Sequence, residues 1–388
     1  MEFERRTLLL PEELKDAIVI DGHADTPQRF VDEGWDFDAA LGDGHLNLEA
    51  ARHGGLSAEF FAIWVQPDEW RGRYAYRTLQ LIDGVHEQLR RHPHELALGL
   101  CARDVRRAHA EGRFCILLGI EGGHSIENSL ALLRIYHRLG VRYMTLTWAN
   151  SNEWADSSGD MDDARVAHHN GLTHFGREVV REMNRLGMMV DVSHVSDKTF
   201  WDVMETTRAP VIASHSSARA LASAPRNLTD EQLRAVTTCD GIVMVNFYSS
   251  FVDDAWREMW SASSAEREDL TEAASAEYRK RGEPVPYSVA LKIDREYFAA
   301  RAATMKRPSL ERVVDHIDHV AKIAGIDHVG IGTDFDGFGI LPEGLQSAAD
   351  LPKIYAALTT RGYTGAQMRK ILGENLLRVM DAVQGNTT

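Results

Sequence analysis

The stretch that decides the fold is Val19-Ile20-Asp21-Gly22-His23-Ala24-Asp25-Thr26-Pro27. The apolar residues 17–20 predict a buried strand that ends where Asp-Gly begins. His23 and Asp25 follow two residues apart, and in extended backbone such residues point to the same side. An imidazole and a carboxylate side by side favour a divalent metal with nitrogen and oxygen ligands. The alternative is a turn that exposes two polar side chains, and the rest of the chain decides between the two.

Further apolar runs of strand length follow, and helical patterns separate most of them. They cover residues 58–65, 114–120, 141–147, 188–192, 210–214, 241–247 and 328–333. Near-continuous apolar strands alternating with helices predict a parallel sheet that is covered on both faces. Eight such units predict a (β/α)8 TIM-type barrel rather than an open doubly wound sheet. No Gly-x-Gly-x-x-Gly motif opens a helix, so a dinucleotide site is not expected.

Residues 253–307 interrupt this rhythm, because they are charged and carry Trp256, Trp260 and Tyr287. Their composition is helical over 264–281. We expect a helical insertion in the seventh unit of a single barrel domain spanning 1–388. Two roles stay open for it, a surface excursion or a lid or subunit contact.

Composition excludes several classes of protein. The formal net charge is -15, and no basic cluster suggests nucleic acid or anionic lipid as a partner. Three scattered cysteines fit a reducing compartment without a disulfide framework. The apolar run 8–10 is too short for a signal peptide, and no stretch is long enough to span a bilayer. We therefore expect a cytoplasmic protein with no membrane partner.

Metal-ligand side chains recur at the predicted strand ends. They are His23 and Asp25 after the first strand, Glu121 after the third, His194 after the fifth, His215 after the sixth and Asp334 after the eighth. In a barrel these ends gather around the top of the axis. The set suits two metals about 3.5–4 Å apart that clamp a bridging hydroxide. Imidazole and carboxylate favour zinc, with manganese or cobalt as substitutes.

Other chemistry-bearing residues fit this scheme less well. Most remaining histidines fall on helices or in polar loops, where a structural role is expected, although His124 lies close enough to the predicted centre for a supporting one. The sequence has no Gly-x-Ser-x-Gly elbow and no cysteine at a strand end, which argues against a serine or cysteine nucleophile.

Seven ordered motifs resemble the renal (membrane) dipeptidase family, which belongs to the metal-dependent amidohydrolases. They are Asp21-Gly22-His23-Ala24-Asp25, Glu121-Gly122-Gly123-His124-Ser125-Ile126, Asp191-Val192-Ser193-His194-Val195-Ser196, Ser214-His215-Ser216-Ser217, Arg226-Asn227, Met244-Val245-Asn246-Phe247-Tyr248 and Asp334-Phe335-Asp336-Gly337. The resemblance runs from about Val19 to the closing residues 374–379 and covers nearly the whole chain.

The resemblance implies a barrel enzyme with two zinc ions and a homodimeric assembly. One zinc would be held by His23, Asp25 and a bridging Glu121, and the other by Glu121, His194 and His215. The resemblance also implies that Asp334 is the acid and base, and that Arg226 holds the substrate carboxylate.

Three departures from the renal members concern the substrate. Trp148 stands where they carry a histidine thought to polarise the scissile carbonyl, and an indole N–H cannot carry charge. We therefore expect Trp148 to contact the substrate and to make one subsite narrower or more apolar. Phe251 stands where they carry tyrosine, and the insertion at 253–307 has no counterpart in them.

The expected function is a binuclear zinc dipeptidase that cleaves dipeptides with a free C-terminal carboxylate through the bridging hydroxide. One alternative is a related amidohydrolase acting on another small carboxylated amide or lactam. Another is a metal-binding barrel without catalysis, although retention of Asp334 and every ligand argues against it. A phosphate-binding barrel is a third, but no glycine-rich phosphate loop follows the late strands.

Overall fold

The computed structural model describes residues 14–385, in which strands and helices alternate along most of the chain. The strands are β1 (Ile20–Ala24), β2 (Ala58–Trp64), β3 (Leu96–Leu98), β4 (Phe114–Glu121), β5 (Val141–Thr145), β6 (Met189–Asp191), β7 (Val211–Ala213), β8 (Ile242–Val245) and β9 (Val329–Ile331). The helices are α1 (Pro27–Asp32), α2 (Leu48–Gly54), α3 (Tyr74–Arg91), α4 (Ala102–Ala110), α5 (Leu130–Arg138), α6 (His174–Leu186), α7 (Asp197–Thr206), α8 (Asp230–Thr237), α9 (Ser249–Val252), α10 (Asp254–Ser261), α11 (Ser264–Arg281), α12 (Tyr287–Arg301), α13 (Leu310–Ala324), α14 (Leu351–Thr360), α15 (Gly365–Arg369) and α16 (Asn375–Gly385).

The sheet closes on itself. Its parallel strands follow the order β1-β2-β4-β5-β6-β7-β8-β9, and β9 pairs with β1. The predicted (β/α)8 barrel is therefore confirmed, because eight parallel strands surround one axis with helices between them. The short strand β3 pairs only with β4 and stands outside the ring.

Alternation along the strands divides the apolar residues into two layers. Phe61 and Ile63 on β2 belong to the cluster that packs the sheet against the surrounding helices. Phe60 on the same strand belongs to a second cluster with Leu117 and Met244, which fills the barrel interior. Both layers are buried, which is why the strands show continuous rather than alternating apolar runs.

Two sequence expectations about strands were wrong. The first strand covers Ile20–Ala24 rather than residues 17–20, so His23 lies within it and not after it. Polar residues fit inside this strand because their side chains find partners on other strands, as when Asp21 accepts hydrogen bonds from the backbone N–H and the hydroxyl of Thr333. Strand β3 was not predicted, because its three residues, unlike those of β6, β7 and β9, are not part of a longer apolar run.

The helical insertion is confirmed as α10, α11 and α12, which follow β8 and the short helix α9. Helix α11 carries one buried residue, Ser275, so nearly all of it is surface. Helices α10 and α12 are anchored through a small apolar cluster. Its buried members are Trp256, Trp260, Tyr297, Met305 and Ile340, the last of which lies in the loop after β9.

Within residues 14–385, no helix combines the length and the apolar character that crossing a bilayer requires. Residues 1–13, for which no signal peptide is expected, lie outside the described part of the chain, as do residues 386–388.

Candidate metal centre and active-site cleft

The ligand-type side chains from separate strands meet around Glu121, the last residue of β4. One carboxylate oxygen, Oε2, lies 3.3 Å from His23 Nε2. The other, Oε1, lies 2.9 Å from His194 Nε2 and 3.4 Å from His215 Nε2. The two oxygens of one carboxylate thus face two separate groups of nitrogen donors, which is the arrangement that a ligand shared between two cations requires.

A second group of donors adjoins the first. One donor atom from each of His23, Asp25 and Asp334 lies within 4.8 Å of the others, as do the donor atoms of His23, Glu121 and His215. His23 Nε2 is 3.7 Å from Asp25 Oδ2. The structure therefore brings together all five predicted metal ligands and Asp334.

Hydrogen bonds on the far side of two imidazoles fix which nitrogen faces this centre. The Tyr143 hydroxyl donates to the Gly22 carbonyl at 3.2 Å, so it accepts from His23 Nδ1 at 2.8 Å. The Nδ1 of His23 therefore carries a proton and its Nε2 faces the cluster, and the same logic holds for His215. Its Nδ1 donates to Ser214 Oγ at 2.7 Å, and that hydroxyl donates to Asp191 at 2.6 Å.

The charge state of the histidines follows from their surroundings. Burial and the Arg226 cation lower the pKa of His194 to about 4, and burial and the neighbouring charges hold the pKa of His215 well below its usual range. The imidazoles of His194 and His215 are therefore neutral at pH 7, the form in which histidine binds a metal. Burial alone would lower the pKa of His23, but the carboxylates around it, Glu121 first, outweigh burial and raise the pKa to about 10.

The pKa values of two carboxyl groups in the cluster are raised. Burial and the charge of Glu121 raise the pKa of Asp25 well above its usual range, and burial raises the pKa of Asp334 as well. Acidic groups that share a buried site repel one another unless cations lie between them. Asp25 Oδ1 and His23 Nε2 are also buried without a hydrogen-bond partner among residues 14–385. The imidazole and carboxylate ligands, the buried atoms without a hydrogen-bond partner and the excess of acidic groups all fit a site for divalent cations.

Asp334 lies in the loop that follows β9. Its Oδ2 accepts a hydrogen bond from Asn246 Nδ2 at 2.9 Å, which aims the carboxylate. Its backbone is left-handed, with φ of 65°, as is that of His194, with φ of 68°. Such backbone is costly outside glycine and persists where the surroundings enforce it, often at functional sites. Gly337 allows the loop to pass, since a Cβ there would overlap the carboxylates of Asp334 and Asp25.

Arg226 is a buried cation at the edge of the centre, and 7% of its surface is exposed. It donates to Ser216 Oγ at 3.2 Å, and its Nη2 lies 3.3 Å from His194 Nε2. Its guanidinium carbon lies 4.6 Å from the centre of the Phe251 ring. Burial lowers its pKa to about 10, so it stays charged at neutral pH. Within residues 14–385 no ion pair joins the guanidinium to a carboxylate, and its Nε is buried without a hydrogen-bond partner.

A cleft of about 180 Å³ opens over the centre. Its walls are partly acidic and partly aromatic, and they include Asp25, Glu121, His194, Asp334, Trp64, Trp148, Tyr248, Phe251, Tyr287, Asp294 and Phe338. Trp148 is one of these residues, and its ring centre lies 4.9 Å from that of Trp64. That it contacts the substrate stays a prediction. His124 instead hydrogen-bonds the Val65 carbonyl at 2.8 Å.

Several residues of the site escaped sequence reasoning. Tyr143 lies inside an apolar strand, where the sequence indicates only core. Asp191 ends β6 and lies inside a recognised motif, but no role was given to its side chain. Ser214 and Asn246 lie inside motifs that were recognised, but no role was given to either side chain. Trp64 and Tyr287 carry no motif signal, because only the closed barrel brings them beside Trp148.

Comparisons with known proteins agree with this fold. The probable dipeptidase PvdM from Pseudomonas aeruginosa is 26% identical, with a TM-score of 0.80 and coverage of 97% of both chains. A metallopeptidase from Rhodobacter sphaeroides, solved with a phosphinate mimic of the dipeptide L-Ala-D-Ala, is 27% identical with a TM-score of 0.73. That match covers 95% of this chain and 100% of the other. The sequence pattern of the membrane dipeptidases, peptidase family M19, matches residues 11–388, and the chain therefore belongs to that metallopeptidase family.

Proposed function

We propose that this chain is a binuclear zinc dipeptidase that hydrolyses dipeptides with a free C-terminal carboxylate. The observation that carries the proposal is the buried Arg226 cation, which has no carboxylate partner within residues 14–385 and lies beside the ligand cluster. A guanidinium next to a cation-binding centre is stable only if an anion lies between the two. The terminal carboxylate of a short peptide is such an anion, and it would place the adjoining amide over the centre.

The proposed zinc ligands are those of the resemblance. His23, Asp25 and Glu121 would hold one ion, and Glu121, His194 and His215 would hold the other. When bound, such ions supply Lewis-acid polarisation of the carbonyl and a water nucleophile that is ionised near neutral pH. One oxygen of Glu121 lies near His23 and the other near His194 and His215, which supports a carboxylate shared between the two ions.

Asp334 is the proposed proton carrier. It is buried beside the cluster, and the Asn246 amide holds its Oδ2 in place. It would take the proton of the attacking water and return it to the leaving amine, as general base and then general acid. Because burial raises its pKa, the carboxyl is closer to the range in which both transfers are easy.

Arg226 would bind the terminal carboxylate of the substrate and so fix the position of the amide bond relative to the metal centre. Its two terminal nitrogens can hold a carboxylate through paired hydrogen bonds, which orients the peptide more firmly than a point charge could. The Rhodobacter sphaeroides relative, which was solved with a dipeptide mimic, supports the same class of substrate here.

The wider organisation is part of the proposal. We expect residues 253–307 to belong to the barrel domain, because Tyr287 donates to the Gly337 carbonyl at 2.9 Å. The homodimer implied by the family resemblance also stays a prediction, which sedimentation of the purified protein would test.

Replacing Arg226 tests the substrate assignment directly. We expect Arg226→Ala and Arg226→Lys to lower kcat/KM on free-acid dipeptides, the first more than the second. Lysine keeps the positive charge but lacks the paired N–H donors of the planar guanidinium. The loss should shrink on dipeptides whose C-terminus is amidated, since neither enzyme can make the contact there.

Arg234 provides a matched control, because it is exposed on α8, the helix that follows the loop of Arg226. Arg234→Ala should change activity on both kinds of substrate by the same factor. If Arg226→Ala did so too, the carboxylate clamp would be wrong, and with it the best reason to propose dipeptides.

A further inference from the structure

Tyr287, the first residue of α12, separates two cavities. One is the active-site cleft of about 180 Å³. The other has a volume of about 310 Å³ and lies between the start of the barrel and the insertion. Tyr287 and Asp25 line both cavities, so the aromatic ring stands as a partition beside the centre.

The ring is held from two directions. Its hydroxyl donates to the Gly337 carbonyl at 2.9 Å. Its ring centre lies 4.7 Å from that of Trp64, which in turn packs on Trp148. Trp64 is only 2% exposed, so the partition rests on a buried side chain at the end of β2 rather than on a loose surface group.

The partition and Arg226 face each other across the barrel mouth. Trp64 ends β2, and Arg226 lies in the loop after β7. In the closed ring, three strands separate β2 from β7 in either direction, so they are opposite. A peptide whose C-terminal carboxylate is at Arg226 would therefore point its N-terminus toward Asp25 and Tyr287.

We propose that Tyr287 limits the substrate to two residues by closing the cleft just beyond the N-terminal residue. This inference rests on the proposed dipeptidase function and assigns the length limit to a residue of the insertion. Behind the ring, the second cavity is lined by the acidic side chains Asp32, Glu33 and Asp43 and by basic ones. Arginines already pair with these acids, so what the cavity offers a longer peptide is room for one more residue.

The test compares a free-acid dipeptide with the tripeptide made by adding one residue at its N-terminus. Wild type, Tyr287→Ala, Tyr287→Leu and Tyr287→Phe are assayed with metal present, and released C-terminal amino acid is measured by mass spectrometry. Tyr278→Ala is the matched control, since Tyr278 lies in α11 of the same insertion and contacts Arg281. Thermal unfolding shows which variants are folded.

We expect wild type to cleave the dipeptide and to discriminate against the tripeptide. Tyr287→Ala and Tyr287→Leu should raise the tripeptide-to-dipeptide ratio of kcat/KM by roughly tenfold or more, the scale on which pocket size discriminates substrates. Tyr287→Phe keeps the ring and should keep the wild-type ratio, as should Tyr278→Ala.

Two failures are distinguishable. A folded, metal-loaded wild type that cleaves no dipeptide would overturn the proposed function and this inference with it. Dipeptide cleavage by wild type, together with an unchanged ratio in a folded Tyr287→Ala or Tyr287→Leu variant, would overturn the length limit alone. The Leu variant keeps the test decisive if the Ala variant does not fold.

Discussion

The pKa of the Asp334 carboxyl is set by opposing effects of its surroundings. Burial and the Glu121 charge raise the pKa of its carboxyl, whereas His23, Arg226 and the hydrogen bond from Asn246 lower it. Such a balance suits a group that must gain and lose a proton in one turnover.

We predict that Asp334→Asn keeps its fold and its metal but loses roughly two or more orders of magnitude in kcat, the scale of general acid–base catalysis. Asparagine retains the shape and can still hydrogen-bond, but it cannot carry the proton. Asp294→Asn is the matched control, because Asp294 lines the same cleft but is paired with Arg267 at 2.7 Å. Near-normal turnover in metal-loaded Asp334→Asn would show that another group moves the proton.

Glu59 on β2 is a buried acid that the proposed reaction does not use. Within residues 14–385 no donor reaches either of its carboxylate oxygens, and it lies opposite Asp21 across the β1–β2 pair. Burial and the Asp21 charge raise the pKa of Glu59 well above its ordinary value of 4.5. The protonated form is therefore the stable one, and it can donate to the Asp21 carboxylate.

This raised pKa has a consequence for stability. Above pH 4.5 the unfolded chain ionises Glu59 while the folded chain retains the proton, so the contribution of Glu59 to the free energy of unfolding falls as pH rises. The loss is about 1.4 kcal/mol per pH unit until the folded-state pKa is reached. Glu59→Gln cannot ionise, so its stability relative to wild type should increase between pH 5 and 8, as measured by urea unfolding of metal-saturated protein.

Glu49→Gln on the exposed face of α2 provides the control. Its free energy of unfolding should differ little from that of wild type at pH 5 and at pH 8. A pH-independent difference between Glu59→Gln and wild type would show that Glu59 ionises normally in the folded protein.

At the scale of elements, the loop after β5 brings Trp148 into the cleft. The loop is fixed close by, because Ser157 donates to the Trp148 carbonyl and the indole packs on Trp64. A large apolar ring in this wall narrows the space for substrate side chains and offers them an apolar surface.

We predict that Trp148→His broadens the range of dipeptides cleaved, because it shortens the side chain and adds a polar group. The measurement is a panel of dipeptides varied at each position, with kcat/KM compared between variant and wild type. Trp201→His, at a partly exposed position on α7, is the control for the substitution itself. Identical preference profiles in wild type and Trp148→His would mean that this ring does not shape the pocket.

Elements also show where sequence reasoning succeeds and where it stops. The barrel could be predicted because buried parallel strands are apolar on both faces, and the strand-end positions of His194, His215 and Asp334 followed from that. The bounds of β1 could not, because Asp21 and His23 look like turn residues until their partners on other strands are known. Contacts between distant segments, such as that of Tyr287 with Trp64, leave no periodic signal in the sequence.

At the scale of the whole molecule, barrel closure makes one site out of five distant segments. His23 and Glu121 are far apart in sequence, yet each lies at the same end of a strand in one parallel ring. The formal net charge of -15 favours cations in general, but the buried donors set where they would bind. We therefore propose that these segments converge on a site for divalent ions.

The most direct test is the metal content of the purified protein by inductively coupled plasma mass spectrometry, measured together with dipeptide hydrolysis before and after chelation. Matched samples of Glu121→Gln and of Glu127→Gln, which lies outside the ligand cluster, separate the shared ligand from a general charge effect. We expect about two divalent ions per chain in wild type and in Glu127→Gln, fewer in Glu121→Gln, and hydrolysis that disappears on chelation and returns with zinc. Full hydrolysis by wild type after exhaustive metal removal would show that hydrolysis needs no divalent ion.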